Sequence, residues 1–147
     1  MTLAEFRRSV KPEMEYVGGV WHSRMLPDHF KPGATGRYGY QKRKKRYSII
    51  KARTVGHNRP LEHSGDLKAM VTRMARISST GKGTRVAMSG PRYLYMYRKD
   101  YDAPHLADEI VATTEDQRTT MENLLDRRVT RRLNTITTAE TVSSRSN

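Results

Sequence analysis

A chain of 147 residues with a formal net charge of +13 and no cysteine is long enough for one domain with one core, and it excludes disulfides and thiolate metal sites. Only 35 % of the residues are apolar, so that core is expected to be modest under a wet, charged exterior. No run approaches the roughly 20 apolar residues that span a bilayer, and residues 1–16 lack the apolar centre of a signal peptide. The expectation is a soluble product, made in the cytosol or built into something assembled there.

Residues 1–13 are expected to form an N-terminal arm or short helix. Thr2 and Glu5 stand at the two positions of a capping box, Leu3, Phe6 and Val10 recur at helical spacing, and Pro12 stops the element. A second helix is expected over 14–26, with Met14, Val17, Trp21 and Met25 on one stripe, weakened by Gly18 and Gly19. Pro27 to Phe30 turns the chain, and Lys31-Pro32-Gly33 makes a loop.

Residues 40–53 are read as a basic helix, with Tyr40, Tyr47 and Ile50 on its inner side. Gly56, Asn58 and Pro60 end it. Ser64 is a good N-cap for a helix over 65–77, whose stripe is Leu67, Met70, Val71 and Met74. Residues 79–84 read as a turn, and 84–88 as a strand paired with 75–79 or with 93–97. Residues 93–97 have high strand propensity, placing Tyr93, Tyr95 and Tyr97 on one face, and 107–113 read as a further strand.

Thr114 opens the best-marked helix. Thr114 and Gln117 make a capping box, Glu115 and Asp116 fall where the helix dipole favours anions, and Met121, Leu124, Leu125 and Val129 form the apolar stripe. Asn134 is expected to end it. The Thr/Ser-rich tail 135–147 carries almost no core-forming residues and is expected to be disordered unless another chain holds it. The fold class is α+β: one domain over 1–134, with a small mostly antiparallel sheet packed with three to four helices and extended termini.

The sequence offers little for catalysis. Gly81-Lys82 resembles the end of a phosphate loop, but Gly83 stands where Ser or Thr should hold magnesium and Arg76 where the first glycine should be; a hairpin turn explains it better. His22, His29, His57, His63 and His105 form no close metal-binding cluster, so no metal site and no cofactor are expected. Asp100 and Asp102 lie in a loop, and Asp108 and Glu109 would face apart on a strand, so no carboxylate pair is set for acid–base work. The chain reads as a non-enzyme.

The dominant signal is charge. From Lys31 to Arg59 there are ten Lys or Arg and no Asp or Glu. Such a segment repels itself unless an anion sits against it. Arg37, Tyr38, Tyr40, Lys42, Arg43, Lys44, Lys45, Arg46, Tyr47, Lys51 and Arg53 are the candidate interface, with Tyr93, Tyr95 and Tyr97 as a possible second stripe. Cations beside rings suit a nucleic acid, as in an RNA- or ribosome-associated module. They suit docking on an acidic protein ring equally. The plain alternative is a solvated helix face whose tyrosines are core. Within the set, Tyr40 and Tyr47 are expected to pack, and Arg43 and Lys51 to pair with acids across an interface.

The order of motifs adds to this reading. Pro27-Asp28-His29-Phe30 is followed by Arg37-Tyr38-Gly39-Tyr40, then spaced Arg43, Tyr47 and Lys51, then Pro60-Leu61, Ser64-Gly65-Asp66-Leu67, a short β region and an acidic helix start at 114–118. This resembles the small neck and tail-completion proteins of tailed bacteriophages, over residues 20–133 and most densely over 27–67. The resemblance implies a virion component assembled in the host cytoplasm. It implies a homo-oligomeric ring, hexamer or dodecamer, that joins head to tail or completes the tail. The implied neighbours are portal, adaptor or tail-tube proteins, with DNA passing through the channel and no membrane.

Overall fold

The computed structural model describes residues 2–73, 75–95 and 105–144. It is an α+β domain in which one antiparallel hairpin packs among helices. Helix α1 spans Leu3–Val20 and opens with the expected capping box, Glu5 N–H donating to Thr2 Oγ1 at 3.3 Å and Thr2 N–H to Glu5 Oε2 at 2.6 Å. It does not stop at Pro12, as the sequence led us to expect. A proline inside a helix removes one backbone hydrogen bond and crowds the preceding turn. The hairpin splints that weak point. Gly81 lies against the Arg7 carbonyl on one side of Pro12, and Thr84 Oγ1 donates to the Met14 carbonyl at 3.1 Å on the other.

The helical path continues past Val20 as a π-helical turn over Trp21–Met25 and a 3-10 turn over Leu26–Phe30. A short helix, α2 (Ala34–Tyr38), ends at Gly39 in the left-handed conformation. Helix α3 is Lys45–Val55, shorter than the expected 40–53 at its start. Residues 40–44 are instead held open by Glu109, whose Oε1 accepts from the Gln41 N–H at 3.1 Å. Helix α4 is Asp66–Arg73 and stops short of residue 77. The chain leaves helix there because Ala75–Ser79 (β1) pairs with Thr84–Met88 (β2), with Ile77 opposite Val86. Of the two partners considered for 84–88, the structure takes 75–79.

Two segments expected as strands, 93–97 and 107–113, are helical over much of their described length, and residues 96 and 97 lie outside the described residues. Arg92–Tyr95 is a 3-10 turn that sinks Leu94 into the core, and no third strand joins the sheet among the described residues. Residues 107–111 belong to α5 (Leu106–Val111), because Leu106, Ala107 and Ile110 meet the core at helical spacing, not by alternation. The last helix, α6, runs Glu115–Ser144. Its capping box is as expected, Gln117 N–H donating to Thr114 Oγ1 and Thr114 N–H to Gln117 Oε1, each at 3.2 Å. Asn134 does not end it. The threonines that made the tail look unstructured return their hydroxyls to carbonyls one turn back, as Thr135 does to Arg131 at 3.0 Å and Thr138 to Asn134 at 2.8 Å. The N-terminal end thus takes the helical one of its two expected forms, and the tail expected to be extended is helical as far as Ser144.

The core gathers Trp21, Met25, Leu26, Phe30, Leu67, Val71, Leu94 and Ile110. Helix α1 lies between the hairpin and α6. Gly18 is buried there because the hairpin crosses it closely: a Cβ at that position would meet Thr84 Cγ2 at 2.8 Å and Ile77 Cγ2 at 3.2 Å. On the α6 side, Arg128 Nε donates to Glu13 Oε2 at 2.6 Å while its guanidinium sits 3.7 Å over the Tyr16 ring. No helix among the described residues is long and apolar enough to cross a membrane.

Candidate functional site

The basic segment divides into cations used inside the fold and cations left outside. Arg37 pairs with Asp28 at 3.2 Å, and Lys31 with the same carboxylate at 2.5 Å. Arg43 grips Glu109 with two nitrogens, at 2.5 and 3.0 Å, and its Nη1 also reaches the Gln41 carbonyl at 2.9 Å. Arg59 pairs with Glu62 at 3.5 Å. Lys51 is buried, and its Nζ donates to the Arg59 carbonyl. Burial, and then the Arg43 guanidinium, push the Lys51 pKa down, while Glu62 pulls the other way. Arg43 and Lys51 were expected to reach across an interface; they are committed to their own chain. Lys42, Lys44, Lys45, Arg46 and Arg53 are exposed and carry no ion pair among the described residues.

The aromatic half of the expected site is divided too. Tyr40 is buried and its hydroxyl bonds His29 Nδ1. The His29 and Tyr38 rings stack with centroids 3.8 Å apart and planes 15° apart, and Tyr38 and Tyr40 follow at 5.7 Å and 16°. The Tyr38 hydroxyl also accepts from Gln117 Nε2 at 2.7 Å, which ties the stack to the start of α6. These rings are structural and offer no platform to a base. Tyr40 packs as expected; Tyr47 does not, being 44 % exposed. Tyr93 is 46 % exposed, and burial, then nearby Asp66 and Tyr47, raise its pKa. The side chain of Tyr95, and all of Tyr97, lie outside the described residues.

His29 is wholly buried at the centre of this cluster. Burial lowers its pKa to about 4; the Glu109 carbonyl, Asp28 and the Ala112 carbonyl each oppose that shift. Nε2 of the ring is buried without a hydrogen-bond partner among the described residues. The arrangement suits a neutral ring that takes the Tyr40 hydroxyl proton at Nδ1. Burial, followed by Tyr38 and Glu109, raises the Tyr40 pKa, so that hydroxyl remains a donor. Nothing in the sequence marks this cluster beyond the order His29, Tyr38, Tyr40.

Comparison with models of known protein families, with curated proteins and with solved structures finds no match to this chain.

Helix α3 is therefore best judged by its own surfaces, and it is inverted. Its one buried residue is Lys51, while Ile49 and Ile50 are 46 % and 50 % exposed. The expectation that Ile50 and Tyr47 face inward is overturned. No helix or strand among the described residues packs broadly against α3. Arg46, Ile49, Ile50 and Arg53 fall at the i, i+3, i+4, i+7 positions of one outward stripe. That spacing was visible in the sequence; which side of the helix faces the core was not, because a lysine does not announce itself as buried. Among the described residues there is no cluster of His, Cys, Asp or Glu able to hold a metal.

Proposed function

We propose that this protein is a structural, non-enzymatic subunit of an oligomeric ring in the neck of a tailed phage, where it completes the tail or joins head to tail. The observation that carries the reading is α3. A helix that buries its lysine and presents two isoleucines between arginines is built to be covered by another protein. The resemblance of residues 27–67 to neck and tail-completion proteins gives that covering a setting. In this reading Lys42 and Lys44 in the loop and Lys45 at the start of α3 meet an acidic surface on the adjoining neck component. A phosphate-backbone contact is the competing reading. It is weakened because Tyr38 and Tyr40 are stacked on His29 and are not free to stack on bases.

The test replaces Lys42, Lys44 and Lys45 together by Gln, and keeps Arg43, which the fold needs. Complementation of a phage lacking the gene should leave heads and tails unjoined, with the variant's circular dichroism and Tm unchanged. Normal yields of joined particles would overturn the reading.

A further inference from the structure

The inverted helix needs an occupant, and the chain carries a matching surface of its own. On α6, Glu122, Asp126, Val129, Leu133 and Ile136 fall on one face, at the alternating three- and four-residue spacing of a coiled-coil seam. The first two are exposed and the last three half-buried. The seam is thus acidic toward the start of the helix and apolar beyond it. Among the described residues, Glu122 and Asp126 have no ion-pair partner, whereas Glu13, Asp28, Glu62 and Glu109 are each engaged by a cation of the core or loops.

We infer that α3 of one copy docks on this α6 face of a second copy. With the two helices side by side, Arg46 stands against Glu122 and Asp126, and Ile49 and Ile50 stand against Val129 and Leu133. Arg53 extends its aliphatic stem along Ile136. The fit is one of order as well as sign: cation then aliphatic on α3, anion then aliphatic on α6. A phosphate backbone would satisfy Arg46 and Arg53 but leave both isoleucines in water. A second α6 laid parallel on the first would set Glu122 and Asp126 against like charges. Laid antiparallel, it would set them against Val129 and Leu133.

The contact joins two different patches, so each copy has one of each to offer and assembly proceeds head to tail, closing when the rotation permits. This inference deepens the ring-subunit reading and rests on it. It assigns the contact between copies to α3 and α6 and leaves Lys42, Lys44 and Lys45 for the adjoining component.

The test uses the full chain and two charge-reversed variants, Arg46→Glu with Arg53→Glu, and Glu122→Arg with Asp126→Arg. Each variant alone sets like charges against each other and should run as a monomer in sedimentation velocity, at concentrations where the wild-type chain assembles. Mixed, they present native α3 to native α6 and reversed α3 to reversed α6, and assembly should return. That recovery also shows both variants are folded. A wild-type ring whose variants still assemble singly, or fail to assemble when mixed, would overturn the α3–α6 contact and leave the ring reading standing. A wild-type chain that stays monomeric, or that associates only with added DNA or anionic vesicles, would overturn both.

Discussion

Arg43 and Glu109 stand 66 residues apart in the chain and meet through a two-pronged ion pair that fixes the middle of the cationic segment to α5. The Glu109 side chain is 10 % exposed, so its charge depends on that one guanidinium and on the Gln41 N–H. Replacing Arg43 by Gln leaves the carboxylate half-satisfied in a nearly dry place. The expected cost is about 2 kcal/mol in urea unfolding. Adding Glu109→Gln should recover part of it, since the stranded charge is then gone.

Gly18 and Gly19 are neighbours on α1 with opposite prospects. An alanine at 18 drives its methyl into Thr84 and Ile77 at the hairpin, and overpacking of that kind costs about 1–3 kcal/mol. An alanine at 19 meets only Ile77 Cδ1, at an ordinary 3.6 Å, and gains about 1 kcal/mol of helix propensity. Thermal melts of the two single variants should move in opposite directions. Equal shifts would mean that the hairpin does not cross α1 at Gly18.

Acid should weaken the fold through His29. Its pKa is about 4 when folded, against an ordinary value of 6.5, so between those values the unfolded chain binds a proton that the folded chain refuses. This contribution is complete above pH 6.5 and is lost as the pH falls toward 4, at up to about 1.4 kcal/mol per pH unit. Unfolding free energies measured across that window should show the slope in the wild-type chain. His29→Gln should flatten it, at some cost in stability at neutral pH.

Lys51 holds α3 to the chain that follows. Lys51→Ala removes its bond to the Arg59 carbonyl and the packing of its stem, for an expected loss of about 1–2 kcal/mol. Because α3 has little else to rest on, amide exchange should rise over Lys45–Val55 first. A uniform rise over the whole molecule would contradict a local tether.

Salt separates the two readings of the basic segment. Nucleic-acid binding through Lys42, Lys44, Lys45, Arg46 and Arg53 would weaken linearly in log salt, with a slope near the number of phosphates neutralised. Assembly through isoleucines ringed by charge should fall less steeply with added salt. Sedimentation velocity of the chain alone, and fluorescence anisotropy with a short DNA duplex, measured over one salt series, report both slopes.

The sequence was most legible where local chemistry decides structure. The capping boxes at Thr2 and Thr114 stand as expected, and so does the 84–88 strand. It misled where distant contacts outvote a local signal. Pro12 would stop a helix that had no hairpin splinting it from Arg7 to Met14. Residues 135–138 look unstructured until their hydroxyls are seen returning to the helix's own carbonyls. At the candidate site, composition marked the right stretch but not the division of labour within it. Whether Arg43 faces a neighbour or its own chain depends on where Glu109 arrives, and no periodicity in 37–53 contains that information.

Tyr38 gives the molecule a mechanical property as well as a chemical one. Its ring rests on His29, its hydroxyl is gripped by Gln117, and it stands a few residues before the loop bearing Lys42 and Lys44. From that grip α6 reaches to Ser144, 30 residues in all and about 45 Å from end to end. The rod has a second mooring at Arg128, held by Glu13 and stacked on Tyr16, so its first half is fixed to α1 as well as to Tyr38. A rod moored at two points can neither pivot nor roll freely, so Tyr38 meets a fixed footing just before the chain turns toward Lys42 and Lys44.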